Sequence, residues 1–419
     1  MTTNEALREA DAMDSAEENQ DRMEELLRAI EALHELVESE ADTAERLNRP
    51  TPRVQEALKA TGVFRTLLAE ELGGLDASPT QTLEVIERVS YLDPSLGWLV
   101  RVIASETANV ADHLPHEVLA ELHAGVDDIL IAGQAAVVGG TAIPDEGGYR
   151  ITGAWRYAPG LAMATHVVLC VTLDGSDDVL LSVVGREQLH IADNWNVLGL
   201  RASASFDYEV DDLHVPERFT FRPGTRRSES DLGNALGPAL VSALNQGAWA
   251  QGVGRRMLDE LRSLAQGRIG VGDQTLVSDE FYAEFARHYS HVRGTMALLR
   301  TTWESNERTL LAGQCLSDEQ ETMSRLAASL STRTVLEISQ LLHRFAGAYV
   351  MRNGTLQRLF RDAHAGTQHR ATSHVVAQEC GRMLVGALPE GAHWGLFDLV
   401  LPEDGVAESD SVLVTGGRA

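Results

Sequence analysis

The feature that most limits this chain is a change of hydrophobic period: helical spacing gives way to short β-branched runs near residue 127 and returns after Pro238. From about Asp21 to Leu47 the apolar residues Met23, Leu26, Leu27, Ile30, Leu33, Leu36 and Val37 recur at three- and four-residue steps among acids, which predicts an amphipathic helix. Arg49-Pro50-Thr51-Pro52 ends it, and Val54 to Thr61, Ser78 to Tyr91 and Leu96 to His113 predict further helices. The stretches Ile129 to Val138, Tyr149 to Trp155, His166 to Leu173, Val179 to Val184 and Phe206 to Val215 predict a small antiparallel β domain. Helical spacing then covers Val241 to about Gly267, Asp279 to Leu311, Asp318 to Phe345 and Leu356 to Leu384, a four-helix bundle. The plan is a frayed tail over 1–20, a helical domain over 21–126, a β domain over 127–232, a helical bundle over 233–395 and a tail over 396–419.

Charge and composition narrow the functional classes. The net charge is -27, and the first fifty residues carry 15 acidic against 5 basic side chains, a field that repels nucleic acid and anionic membranes. No apolar run reaches the roughly 20 residues of a spanning helix, and the N-terminus lacks a signal core, so a cytoplasmic protein is expected. Cys170, Cys315 and Cys380 lack CxxC spacing and read as buried apolar fillers, with neither a disulfide framework nor a cysteine zinc site. Glu284, His288 and His291 share a helix face but read as solvated, and His364, His369 and His374 do not converge, so no metal is expected. No GxGxxG opens a helix after a strand, which argues against a Rossmann site for NAD(P)H or FAD.

Three groups of residues stand out: Leu58 to Leu68 with Glu71-Leu-Gly-Gly74 and Asp93-Pro-Ser-Leu-Gly-Trp98; Gly148 to Gly160 with Trp195 to Asp207 and Val215-Pro216; and Leu356 to His369. Together, in order and over roughly Leu47 to Leu384, they resemble the acyl-CoA dehydrogenase superfamily, and in particular its two-component flavin-dependent monooxygenases. The resemblance implies an α+β acyl-CoA dehydrogenase fold and a homotetramer. It also implies reduced FMN or FAD delivered by a separate NAD(P)H-dependent flavin reductase, with O2 as co-substrate. The expected activity is hydroxylation of a small aromatic, polyketide-like or amine substrate through a flavin C4a-hydroperoxide in a water-excluding pocket. FMN is favoured, because Gln340 to Gly347 lacks the Gly-Gly element of the dehydrogenases' adenine side.

A flavin needs an aromatic wall and hydrogen-bond donors along its edge. Trp155, Tyr157, Pro159 and Gly160 are the candidate wall, Ser203 and Ser205 the candidate donors. The residues alone favour a β core with buried aromatics and turn serines; the resemblance reverses that preference and favours the flavin reading. By resemblance Arg268 reaches the flavin phosphate, often across a subunit boundary; its plain alternative is a solvated cation at a helix end. Arg361-Asp362 reads as scaffold.

The resemblance places the dehydrogenase's base glutamate at one of two positions, which here hold Ser242 and Arg370, neither able to act as a carboxylate base. His369 occupies the position of the oxygenase histidine and is the leading catalytic candidate, able to serve as a base if its pKa lies near the working pH. Trp98, Ser105 and Trp195 are candidate substrate contacts. Glu106 stands where relatives carry a histidine and is a second catalytic candidate, its alternative being a helix-surface glutamate. Pro159 replaces a hydroxyl-bearing turn residue. Two rival readings follow: a desaturase that uses Glu106 as a relocated base, and a flavin-fold binding protein without turnover.

Overall fold

The computed structural model describes residues 3–126, 128–223, 236–269 and 276–402, with side chains from residue 18 onward. The expected domain boundaries at 127 and 232, and residues 403–419 of the expected C-terminal tail, lie outside the described residues. Helix α1 runs over Thr3–Ala32 and α2 over His34–Leu47. The backbone of most of the expected N-terminal tail is thus helical, and the single helix expected over 21–47 is divided at Leu33.

Helices α3 (Pro52–Thr61), α4 (Pro79–Leu92), α5 (Pro94–His113) and α6 (His116–His123) follow. Their starts are written locally. Thr51, Ser78 and Asp93 each accept a hydrogen bond from the first turn, and a proline occupies the first position of α3, α4 and α5.

The strands are β1 (Ile131–Gly133), β2 (Gly140–Asp145), β3 (Gly148–Ala158), β4 (His166–Leu173), β5 (Val179–Gly185), β6 (His190–Ala192), β7 (Phe206–Pro216) and β8 (Thr220–Phe221). They form one sheet of order β6-β7-β3-β2-β4-β5-β8, with β1 also on β4. The sheet is mixed, since β1 and β2 both pair parallel with β4, which corrects the expected antiparallel domain. Strand β2 is not among the expected runs, and the run expected over 129–138 shortens to the three residues of β1. On β4 the alternation of the strand sends Val167, Leu169 and Val171 into one apolar cluster, and Val168 and Cys170 into a second against α5 and α6.

Beyond the sheet lie α7 (Gly237–Gln266), α8 (Asp279–Leu311) and α9 (Asp318–Ala346). The fourth helix expected over 356–384 is broken into α10 (Thr355–Gly366) and α11 (His374–Leu384), and His369 sits in the break. One continuous core joins the N-terminal and C-terminal helices: Ile30, Val89, Ile103, Trp249, Val253, Leu299 and Ile338 belong to it together. Residues 393–400 form a small strand pair, and Arg325 on α9 binds the carbonyls of Gly395 and Leu396, so the start of the expected C-terminal tail is anchored. Cys170 and Cys380 are buried, but Cys315 is exposed and is no core filler. Among the described residues no helix is long and apolar enough to cross a membrane, and no metal-binding group of His, Cys, Asp or Glu occurs.

Candidate active site

The site grows from the start of α5. The Asp93 carboxylate accepts from the N–H groups of Ser95 and Leu96, which sets the first turn and places Trp98, Arg101 and Ser105 along one helical face. Trp98 is the hub. Trp249 of α7 meets it edge-on at 5.3 Å, His369 meets it edge-on at 5.6 Å, and the Arg101 guanidinium lies 3.8 Å from its ring centroid. One turn on, Ser105 Oγ accepts from Asn245 Nδ2 at 2.9 Å.

His369 is held by what precedes it. Asp362 on α10 accepts the Leu200 N–H at 2.6 Å, while Arg361 donates to the Leu198 carbonyl and pairs with both oxygens of Glu45. Arg361-Asp362 is scaffold, as its adjacency suggested: it ties α10 to α2 and to the 195–203 loop. Gly366 then passes under Trp249 so closely that a Cβ there would come within 2.1 Å of the indole, and Gln246 Nε2 binds the Gly366 carbonyl. Three residues later His369 Nδ1 accepts the Ala371 N–H, which assigns the ring proton to Nε2. Burial, reinforced by the Arg101 charge, presses the imidazole pKa down to about 3. It is therefore neutral at working pH, and the condition set for a histidine base, a pKa near the working pH, is not met.

On the β side the expected wall separates into two parts. Trp155 is 2% exposed, stacks on Tyr208 at 5.3 Å and donates to the Cys170 carbonyl, so it belongs to the β core and has no face to offer a cofactor. Tyr157, by contrast, is 61% exposed and pairs edge-on with Trp195 at 6.0 Å. A register irregularity between Trp155 and Ala158, with Tyr157 in the left-handed region at φ 61°, turns the tyrosine outward. The Asp207 carboxylate accepts the Tyr157 N–H, and Gln134 donates to its carbonyl.

Pro159 and Gly160 are buried against α5. Gly160 has φ 76° and no room for a Cβ, which would meet Ile103 at 2.5 Å, and its N–H bonds the Ser203 carbonyl. Ser203 and Ser205 are buried with their hydroxyls 2.7 Å apart and bonded to each other, which stiffens the loop and leaves one of the two O–H groups to donate elsewhere. Trp195 stands beside Tyr157, and its indole donates to the Leu200 carbonyl. Arg268 lies past the far end of α7, which ends at Gln266 roughly 25 Å from Trp249 along the axis at 1.5 Å per residue, and contacts Tyr349. Within one chain it does not join the Trp98 cluster.

Glu106 follows Ser105 but sits about 80° round the helix from Trp98. Burial pushes its carboxyl up to about 7, against stabilising hydrogen bonds from Asn109 and the Ala135 backbone. It is half-buried and is no ordinary surface glutamate.

A family model for the acyl-CoA dehydrogenase C-terminal domain matches residues 244–374. The indole-3-acetate monooxygenase of Pseudomonas putida is 30% identical over 376 residues, covering 86% of this chain and 94% of that protein. The chain belongs to the flavin-dependent monooxygenase branch of the acyl-CoA dehydrogenase superfamily. An oxygenase subunit of a flavin-dependent monooxygenase from Rhodococcus jostii is 26% identical over 370 residues, 82% of this chain and 94% of the relative. The solved structure of a Streptomyces protein, XiaF, in complex with FADH2 superposes with a TM-score of 0.80 at 22% identity, covering 91% of this chain and all of that one.

Within this monooxygenase branch the two glutamate positions take on meaning. Arg370 points outward to Asp398 at 2.6 Å, and Ser242 carries no charge, so neither place supplies a base. Trp249, Asn245 and Arg101 escaped the sequence reading. An arginine inside the apolar run Leu96 to Ala104 was the available signal. The surface open to a planar cofactor is the Tyr157–Trp195 pair, beside the rigid Pro159-Gly160 turn. Orphaned buried acceptors on Asn245 and Gln246 add unused polar capacity near Trp98. The aromatic surface, with the spare O–H of the Ser203–Ser205 pair, fits a flavin.

Proposed function

We propose that the chain is the oxygenase component of a two-component system, hydroxylating a small aromatic substrate with reduced flavin and O2. The observation that carries this reading is the neutral His369 packed edge-on against Trp98 in a cluster that lacks the dehydrogenase carboxylate. Bound reduced flavin supplies the activation of oxygen. The chain's residues do the rest. Tyr157 and Trp195 hold the ring system, and Trp98, braced edge-on by the buried Trp249, offers the substrate an aromatic surface. His369 holds a proton at Nε2, where it can donate to a developing oxyanion. The close packing of Gly160 on Ile103 and Gly366 on Trp249 excludes water from the cluster.

Reduced FMN is the proposed flavin, with FAD the alternative, and a separate NAD(P)H-dependent reductase is the proposed source, in line with the Rhodococcus jostii relative's being an oxygenase subunit. A homotetramer, in which a second copy brings Arg268 to the flavin phosphate, accounts for that residue's distance from the cluster. Light scattering of the purified protein checks it. The relatives' names point to aromatic substrates. The test is turnover with an added flavin reductase, 18O2 and a panel of aromatic compounds. A hydroxylated product carrying 18O supports the reading; desaturated product, or peroxide alone, contradicts it.

The buried Glu106 keeps a second reading alive, that of a desaturase using it as base. Bleaching of bound oxidised flavin by an acyl thioester, with no reductase present, is the result that reading requires.

A further inference from the structure

Arg101 is an anomaly. Its side chain is 3% exposed on α5, yet among the described residues no carboxylate or other acceptor bonds it, and its Nε is buried without a partner. Glu106, five residues later, is about 140° away round the helix and does not reach it. The contact the guanidinium does make is with the Trp98 ring, 3.8 Å from its centroid. A buried, unpaired charge costs several kcal/mol, roughly, unless something neutralises it. Burial alone already presses Arg101 down to about 9, which leaves it charged at neutral pH.

We propose that Arg101 is a specificity-determining residue that receives the carboxylate of an aromatic acid whose ring packs beside Trp98. The in-plane N–H groups of a guanidinium suit a carboxylate through two parallel bonds, and Trp98, by covering one face, directs recognition to that edge. Ser105 lies one turn further along the same face, and Asn245 across from it has a buried oxygen without a partner, so the neighbourhood of Trp98 has polar capacity beyond the cation. A cationic amine is disfavoured, since its charge would meet Arg101 in a poorly screened site. The inference rests on the proposed reading of the Trp98 cluster as the substrate site and narrows its substrate class to anionic aromatics.

The test is equilibrium binding, followed by calorimetry, of phenylacetate and indole-3-acetate against phenylacetamide and indole-3-acetamide, on the full chain with reduced FMN under anaerobic conditions. Each amide matches its acid in shape and lacks the charge. The expected result is that the wild-type protein binds at least one acid about tenfold or more tighter than its amide. Arg101→Met should bind both members of the pair at the amide's level, and Arg101→Lys should regain part of the preference. Circular dichroism of both variants verifies the fold. Equal binding of acid and amide by the wild type, or no binding of any acid at millimolar concentration, overturns the proposal. So does an Arg101→Met variant that keeps the preference, or one that loses reduced-flavin affinity while the acid-to-amide ratio stays unchanged, which would assign Arg101 to the cofactor. Binding needs no oxygen, so a failure of oxygen chemistry would leave this result standing and is separately visible.

Discussion

His369 meets the Trp98 ring edge-on at 5.6 Å, and the Arg101 guanidinium lies over that same ring, so one indole separates a buried cation from a neutral imidazole. The cation is one reason the imidazole is neutral: burial is the larger effect and Arg101 adds to it. On the proposed reading the histidine acts as a proton holder at Nε2.

Replacing His369 by Ala should therefore lower hydroxylated product by about a hundredfold or more while reduced flavin still binds. Product yield and peroxide release, measured together by chromatography and a peroxidase assay, check this. Unchanged hydroxylation removes His369 from the mechanism.

The pH profile should carry a limb near 7 that belongs to Glu106. Its folded pKa of about 7 is raised above the ordinary carboxyl value of about 4.5, so the folded chain retains a proton that the unfolded chain has lost between those values. The corresponding stability is full below about 4.5 and is lost as pH rises through about 7. Glu106→Gln, neutral throughout, should flatten the fall in Tm between pH 5 and 8 and remove the limb from kcat/KM. A limb near 7 that survives in the variant assigns it elsewhere.

Asp362 separates a hydrogen-bond role from a charge role. Burial, and next the nearby Asp93, push its pKa up to about 8, so at pH 7 it accepts the Leu200 N–H chiefly as a neutral acid. Asp362→Asn, which makes the bond without having to hold a proton, should be more stable in urea than wild type at pH 7. Asp362→Ala, which strands a buried N–H, should lose about 1–3 kcal/mol relative to the Asn variant. Stability contributed by the raised pKa is present at low pH and lost as pH passes 8, so between pH 7 and 9 the wild type should weaken and the Asn variant should not. An Ala variant as stable as the Asn variant would show that the bond to Leu200 contributes little.

Tyr157 should trade stability for binding. Its left-handed backbone is unfavourable for a side chain of that size, so Tyr157→Gly should relieve about 1 kcal/mol of strain, offset in part by the greater freedom of glycine in the unfolded chain. The same change removes half of the exposed aromatic pair and should weaken reduced-flavin binding by about tenfold. Thermal melts and anaerobic flavin titration read the two effects separately; unaltered flavin affinity would take Tyr157 out of the cofactor site.

What was legible in the sequence follows from the range of the forces involved. The helices α3, α4, α5, α8 and α9 are marked by caps, prolines and period, all local, and their limits are close to those expected. The tryptophan and histidine of the site were legible through motifs. Trp155 and Tyr157 were not separable, because two residues apart on a strand implies one face, and only the irregularity before Ala158 sends them opposite ways. The break after Gly366 was hidden as well, since α10 and α11 share an apolar period across it while the turn at 369–373 is set by packing on α7 and α9. Arg101 gained its significance only from Trp98, Trp249 and His369, which come together from three distant parts of the chain.

The central claim is oxygen activation at a protein-bound reduced flavin, and rapid mixing of the anaerobic reduced-flavin complex with oxygen tests it most directly. The account predicts a transient species, spectrally distinct from both reduced and oxidised flavin, that forms at a rate proportional to oxygen and then decays to oxidised flavin. Conversion of reduced to oxidised flavin in a single step, at the rate of free flavin and with no such transient, would contradict it.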